Sequence, residues 1–113
     1  MQRDGVMTAP IYFNVEEARS HLIKEGHVYT VRKRRGTGTA IARHGSFFKF
    51  GQLGTVRITQ MLLLHDEGKE SQLCEYVPYS GFRTVQEWLS NVKGWKHPMF
   101  LYKVELMEAI RYE

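Results

Sequence analysis

Apolar residues recur along this chain with two different spacings, one typical of helices and one typical of strands. In residues 15–25 they fall three or four positions apart, which places them on one helical face. Asn14 stands where a capping side chain belongs, Glu17 follows three positions later, and Gly26 occupies the usual place of a left-handed C-terminal cap. The pattern predicts a first helix over residues 15–25 that begins with a capping box.

A second helix is predicted to begin near Thr84. Thr84 and Glu87 are spaced as a second capping box, apolar residues follow at helical spacing, and Gly94 marks the end. The sequence therefore predicts two short helices.

Alternating apolar and polar residues, rich in β-branched and aromatic types, predict strands in the remaining segments. These segments are residues 10–13, 27–33, 39–43, 55–64, 73–77 and 99–107. Two helices of about ten residues cannot cover both faces of a parallel sheet. We therefore expect an α+β fold, namely a small, curved, mostly antiparallel sheet or open β-barrel with two short helices against it.

The size and composition of the chain fit one intracellular domain. Its 113 residues, 42% of them hydrophobic, suffice for one core, so we expect a single domain over residues 10–113 after a flexible N-terminus over residues 1–9. Cys74 is the only cysteine, which excludes an internal disulfide and indicates a reducing, cytoplasmic location. No signal peptide is visible, and the longest apolar run, residues 61–64, is too short to cross a bilayer. No membrane partner is expected.

Charge is sorted along the chain rather than spread evenly. The formal net charge is only +4, yet no Asp or Glu lies between Glu25 and Asp66, whereas 7 of the 16 Lys and Arg do. A surface built from such a segment is positive and attracts polyanions, of which nucleic acid is the commonest in cells. The predicted nucleic-acid-binding cations are Arg32, Lys33, Arg34, Arg35, Arg43 and Lys49. The alternative is a solvated basic hairpin that only keeps the protein soluble.

Aromatic residues are interleaved with this basic segment, at Tyr29, Phe47, Phe48 and Phe50. Each ring either completes the core or stacks on an unpaired base, at about 1–3 kcal/mol per base. Because Phe47 and Phe48 are adjacent in an extended segment, one of them should face solvent. Phe48 is the predicted stacking residue.

Three segments carry a resemblance to a known family. They are residues 22–32, the glycine-rich strand entry at residues 49–56, and residues 80–88, where Ser80-Gly81-Phe82 precedes a helix bearing Glu87-Trp88. Together they resemble an ASCH domain, a member of the PUA-like superfamily of small β-barrels, over residues 11–107. The resemblance implies a PUA-like barrel that binds RNA in a cleft beside the strand over residues 27–33.

The family motif places a glycine and a lysine ahead of a strand, with Thr or Glu and then Arg at alternating strand positions. Thr30 and Arg32 match the last two positions, His27 occupies the lysine position, and the glycine is displaced to Gly26. The resemblance thus implies a nucleotide-sized cleft lined by Lys24, His27, Thr30, Arg32 and Ser80.

Some family members resemble amidohydrolases that deacetylate N4-acetylcytidine with a lysine, a threonine and a glutamate. Here the lysine is replaced, and the expected glutamate ahead of the second helix is missing from residues 79–82. If the protein is an enzyme acting on RNA or a modified nucleoside, as an amidohydrolase or a ribonuclease, the candidate catalytic residues are His27, Thr30 and Glu75.

No metal or other cofactor is expected. No two histidines lie three or four positions apart, and Cys74 has no nearby histidine, so metal-ligand spacing is missing. Cys74 is interpreted as a buried strand thiol. Three hypotheses remain: an RNA-binding domain, favoured because small barrels bind unpaired bases in clefts; the enzyme; and a protein-interaction domain whose basic face meets an acidic partner.

Overall fold

The computed structural model describes residues 7–44, 52–65, 67–92 and 98–109. In chain order the elements are β1 (Ile11–Tyr12), α1 (Glu16–Glu25), β2 (His27–Lys33), β3 (Gly38–Arg43), β4 (Gln52–Leu63), α2 (Lys69–Leu73), a 3₁₀ helix (Cys74–Tyr79), α3 (Val85–Ser90) and β5 (Met99–Ala109). The fold is α+β, with five strands in one curled, half-barrel sheet and a few short helices. No helix in the described ranges is long and apolar enough to cross a membrane.

The sheet is mixed, and its order is β1-β3-β4-β5-β2. β1 pairs with β3 in parallel, whereas the other three strand pairs are antiparallel, which confirms the expected mostly antiparallel sheet. Register shifts interrupt β4 at Thr55/Val56 and at Gln60/Leu62. Such bulges bend a strand and increase its twist, so they help the sheet to curl. The two edge strands of this half-barrel are β1 and β2.

The core joins the sheet to α1 and α3, whose buried side chains belong to one cluster with those of the strands. β5 contributes most to it, since every residue from Met99 to Tyr102 is buried. Side chains with 2% exposure or less also come from β1, α1, β2, β4 and α3, among them Ile11, Leu22, Val28, Ile58 and Trp88. Each such side chain stabilises the fold by roughly 1.5–3 kcal/mol relative to exposure.

Both predicted helices are present, but their starts differ. At α3, Thr84 Oγ1 accepts the backbone N–H of Glu87 at 3.0 Å and Glu87 Oε1 accepts that of Arg83 at 3.1 Å, so the predicted cap is confirmed. At α1 the cap residue is Val15, which has no side-chain cap bond, so the predicted Asn14 capping box is wrong. The helix begins one residue later than the pattern indicated, which moves Glu17 out of the position a capping box requires.

The predicted strand over residues 73–77 is also wrong. This segment is the end of α2 and the 3₁₀ helix, with Leu73 buried and Tyr76 and Val77 half-buried against the core. Their spacing of three and four positions is helical, and short apolar runs do not distinguish strand from helix. Cys74 is consequently exposed, with its thiol 3.3 Å from the Ser71 carbonyl, and is not a buried strand thiol.

Candidate functional site

A cleft of about 460 Å³ lies between the two edge strands of the half-barrel. One wall is the end of β1 with Phe13 and Asn14, and the opposite wall is residues 30–35 of β2 and the following turn. Trp88 and Asn91, from α3 and its C-terminal end, also line the space. Its volume falls in the range of roughly 300–1,000 Å³ that is usual for small-ligand sites.

Arg32 is the central cation of this cleft. Because side chains alternate along β2, Thr30 and Arg32 share one face of the strand. Arg32 Nε donates to Thr30 Oγ1 at 3.0 Å, and Arg32 Cζ lies 5.0 Å from the centroid of the buried Phe13 ring. Thr30 is only 7% exposed. The guanidinium is therefore held in place by a buried hydroxyl and an aromatic face.

Arg32 has no carboxylate partner among the described residues, whose one ion pair joins Lys103 and Glu105 elsewhere on the sheet. Burial, with a smaller contribution from the nearby Arg35 charge, lowers the pKa of Arg32 to about 10. The side chain is still protonated at neutral pH. Cations removed from water are normally paired, because desolvation is costly without an opposite charge. A bound anion would therefore stabilise the positive charge of Arg32 in the cleft.

The other members of the basic run differ in their surroundings. Lys33 and Arg34 are exposed on the cleft wall, and Arg34 Cζ lies 5.0 Å from the Phe100 ring centroid. The Arg35 guanidinium instead donates to the carbonyls of Ala9, Pro10 and Gly36. Burial lowers the pKa of Arg35. Arg35 therefore fixes the segment ahead of β1, whereas Lys33 and Arg34 present charge to solvent.

The remaining predicted nucleic-acid contacts lie away from the cleft or outside the described residues. Arg43 ends β3, is partly exposed, and is the register partner of Tyr12 on β1. Its carbonyl accepts the backbone N–H of Phe13 at 2.7 Å, which ties β3 to the cleft wall. Lys49 and Phe48 lie outside the described residues.

The structure does not bring all of the predicted cleft residues together in one site. His27 lies on the face of β2 opposite Thr30, where its ring centroid is 5.9 Å from that of Tyr79. Lys24 is exposed on α1 and lines a separate depression that also contains Glu17 and Gly81. Ser80 is fully buried in a turn, where its hydroxyl donates to Val77 O at 2.8 Å and accepts from Phe82 N at 3.0 Å.

The predicted catalytic set is divided as well. Glu75 is exposed on the 3₁₀ helix, beyond the cleft, and His27 and Thr30 point to opposite faces of β2. The described residues that line the cleft include no Asp, Glu, His or Cys. Nowhere among the described residues do three His, Cys, Asp or Glu side chains form a cluster that could hold a metal ion. Among described residues, the walls offer cations, amides and apolar surface.

Sequence reasoning missed the residues that complete the cleft. Phe13 lies at the end of a predicted strand and Trp88 in the second predicted helix; both are buried, and both also line the cleft. Tyr12 and Asn91 carried no signal at all. These residues meet Arg32 only because the sheet curls, and no local spacing encodes that closure.

No protein-family model matches the chain, and no curated protein and no solved structure matches it. The function is therefore argued from the cleft and its charges.

Proposed function

We propose that this protein binds RNA and holds one nucleotide in the cleft with a phosphate on Arg32. The observation that carries the proposal is the Arg32 guanidinium, partly buried, fixed by Thr30 and Phe13, and without a carboxylate partner in the described part of the chain. A guanidinium presents parallel N–H donors that match two phosphate oxygens. A bound phosphate would supply the negative charge that no described residue places next to Arg32.

The walls around Arg32 suit the rest of a nucleotide. Phe82 and Trp88 give apolar surface, while the Asn91 amide supplies both a donor and an acceptor. At the mouth, Lys33 and Arg34 are exposed and free to contact neighbouring phosphates. The combination of one held cation and several solvated ones fits a polyanionic strand better than an isolated small anion.

The choice of RNA, and the fold family, rest on the resemblance to ASCH domains. A curled five-stranded sheet with short helices is compatible with a PUA-like barrel, and Thr30 and Arg32 are the two motif positions that lie together in the cleft. We retain the ASCH assignment, the PUA-like topology and a cytoplasmic location as parts of this proposal. Binding is preferred to catalysis because the described cleft walls contain no Asp, Glu, His or Cys.

Fluorescence anisotropy with a labelled single-stranded RNA tests the proposal. Arg32→Ala should weaken binding roughly tenfold or more, since hydrogen bonds to charged groups contribute about 1.5–3 kcal/mol. Arg34→Ala should weaken binding to all sequences and reduce the salt slope by about 0.7, the value for one phosphate contact on a single strand. Arg57→Ala is the matched control, because Arg57 is exposed on β4 outside the cleft.

The outcomes separate the hypotheses. Unchanged affinity of folded Arg32→Ala for RNA would overturn the proposal. Equal binding of RNA and heparin, with equal losses in Arg32→Ala, would indicate a face for acidic partners and no nucleotide site. Equal binding of RNA and single-stranded DNA would show that the 2′-hydroxyl is not read, which would contradict the preference for RNA.

A further inference from the structure

Tyr12 presents an exposed aromatic ring at the rim of the cleft. It is 44% exposed although its neighbours Ile11 and Phe13 are 0% and 1% exposed. The alternation of β1 explains this, because burying Ile11 and Phe13 forces the side chain between them to the opposite face. Tyr12 also lines the cleft. Tyr12 therefore lies at the rim of the Arg32 cleft, with its exposed side chain on the face of β1 opposite the buried Phe13.

The Tyr12 ring differs in its surroundings from the aromatic residues of β2 and the 3₁₀ helix. His27, Tyr29, Tyr76 and Tyr79 contact one another with centroid distances of 5.1–5.9 Å. None of the ring pairs among the described residues includes Tyr12. The cluster on the far face of β2 is thus packed internally, whereas Tyr12 is 44% exposed and has no ring partner among the described residues.

Cations flank Tyr12 on both sides. The parallel pairing of β1 with β3 sets Tyr12 beside Arg43, and paired strands lie about 4.8 Å apart. On the other side of the cleft stand Lys33 and Arg34. A flat ring between two sets of cations is the arrangement with which proteins bind single strands, the bases on the rings and the phosphates on the cations.

We propose that the RNA strand passes from the Arg32 cleft across β1, with one unpaired base stacked on Tyr12 and the following phosphate on Arg43. This inference rests on the proposed RNA binding and specifies its ligand as single-stranded at that position. A base inside a duplex has both faces covered by its neighbours, so it cannot use the ring. Arg43 then belongs to the same binding path as Arg32, although it does not line the cleft.

A double-mutant cycle between protein and RNA tests the stacking. Tyr12→Ala should weaken binding of single-stranded RNA roughly fivefold to 100-fold, the range measured for one base–aromatic contact. Tyr12→Phe keeps the ring and should bind like the wild type. In a series of RNAs, a single abasic nucleotide is placed at each position in turn. At one position it should weaken binding to the wild-type protein by the same factor as Tyr12→Ala does, and Tyr12→Ala should not weaken binding of that RNA further. Arg43→Ala should reduce the salt slope by about 0.7.

Tyr79→Ala is the matched control, since Tyr79 has 45% exposure but belongs to the ring cluster on the far face of β2. It should leave RNA affinity unchanged. Full affinity of Tyr12→Ala, together with a clear loss in Arg32→Ala, would overturn the stacking and leave the proposed function intact. Additive effects at every abasic position would overturn it too. Full affinity of both Tyr12→Ala and Arg32→Ala for RNA would overturn the proposed function itself.

Discussion

Replacing Arg32 with methionine should make the ligand-free protein more stable while weakening its binding of RNA roughly tenfold or more. Replacing a residue that stabilises the fold lowers the stability of the protein. A cation that is buried in order to bind an anion instead destabilises the ligand-free protein, so replacing it should raise the stability. Methionine is unbranched and flexible, and it replaces the arginine stem as far as Nε without the charge. The substitution therefore separates the two roles of the side chain.

The magnitude follows from the surroundings of the guanidinium. The pKa of about 10, against an ordinary value of about 12.5, corresponds to roughly 3 kcal/mol of unfavourable charge at neutral pH, since one pKa unit is about 1.4 kcal/mol. Against this, methionine loses the Thr30 hydrogen bond, about 1 kcal/mol, and the contact of a cation with the Phe13 ring, about 1 kcal/mol. The net gain is about 1 kcal/mol, or a Tm about 4 °C higher for a domain of this size.

Thermal and urea unfolding at neutral pH, without and with a short RNA, measure both effects. Arg57→Met is the control, because an exposed arginine on β4 should change stability by no more than about 0.5 kcal/mol. RNA should raise the Tm of the wild type by mass action and raise that of Arg32→Met less at the same RNA concentration. A Tm below that of the wild type in Arg32→Met, with Arg57→Met unaffected, would show that Arg32 is a structural residue and refute the reasoning.

Three further predictions concern the elements around the cleft. Gly81 has φ +90, and a Cβ there would lie 2.3 Å from the Glu17 carbonyl oxygen, whereas Gly26 has φ +84 and open space. In urea denaturation Gly81→Ala should cost about 3 kcal/mol and Gly26→Ala about 1 kcal/mol; equal losses would show that α1 moves aside freely. Thr84→Ala should lower the free energy of unfolding by about 1 kcal/mol and Thr84→Ser by far less, and an equal loss in both would contradict the capping role. Burial and His27 lower the pKa of His21, and Glu25 opposes this only in part; the unfolded chain therefore takes up the proton first, and the stability from neutral His21 is present above about pH 6.5 and lost as pH falls through and below it. Tm measured from pH 7 to pH 5 should fall less in His21→Gln than in the wild type, and parallel curves would exclude His21 as a source of acid sensitivity.

Local pattern predicted the elements whose burial is decided by their own residues. α1 and α3, with β2 and β5, each carry one clear apolar face, and each was predicted within a few residues. Residues 73–77 were predicted wrongly because a short apolar run satisfies both periods. The Asn14 cap was predicted wrongly because α1 starts one residue later, after Val15, and local spacing does not fix a helix start to a single residue.

The candidate site could be predicted only in part for the same physical reason. Alternation along β2 correctly placed Thr30 and Arg32 together, and the same parity places His27 on the other face, since it lies three residues from Thr30. The opposing wall, with Phe13, Trp88 and Asn91, comes from segments far away in sequence. Only the curl of the sheet and the docking of α3 bring that wall to Arg32.

The bonds of Arg35 with Ala9 and Pro10 have a consequence for how this protein can change in evolution. Arg35 holds the segment ahead of β1 in place, whereas Lys33 and Arg34 contribute only positive charge to the cleft wall. A descendant that lost its ligand could exchange Lys33 and Arg34 for neutral residues, yet would keep Arg35 to hold its N-terminal segment in place. Divergent sequences of this lineage should therefore retain one arginine of the run long after the others have drifted.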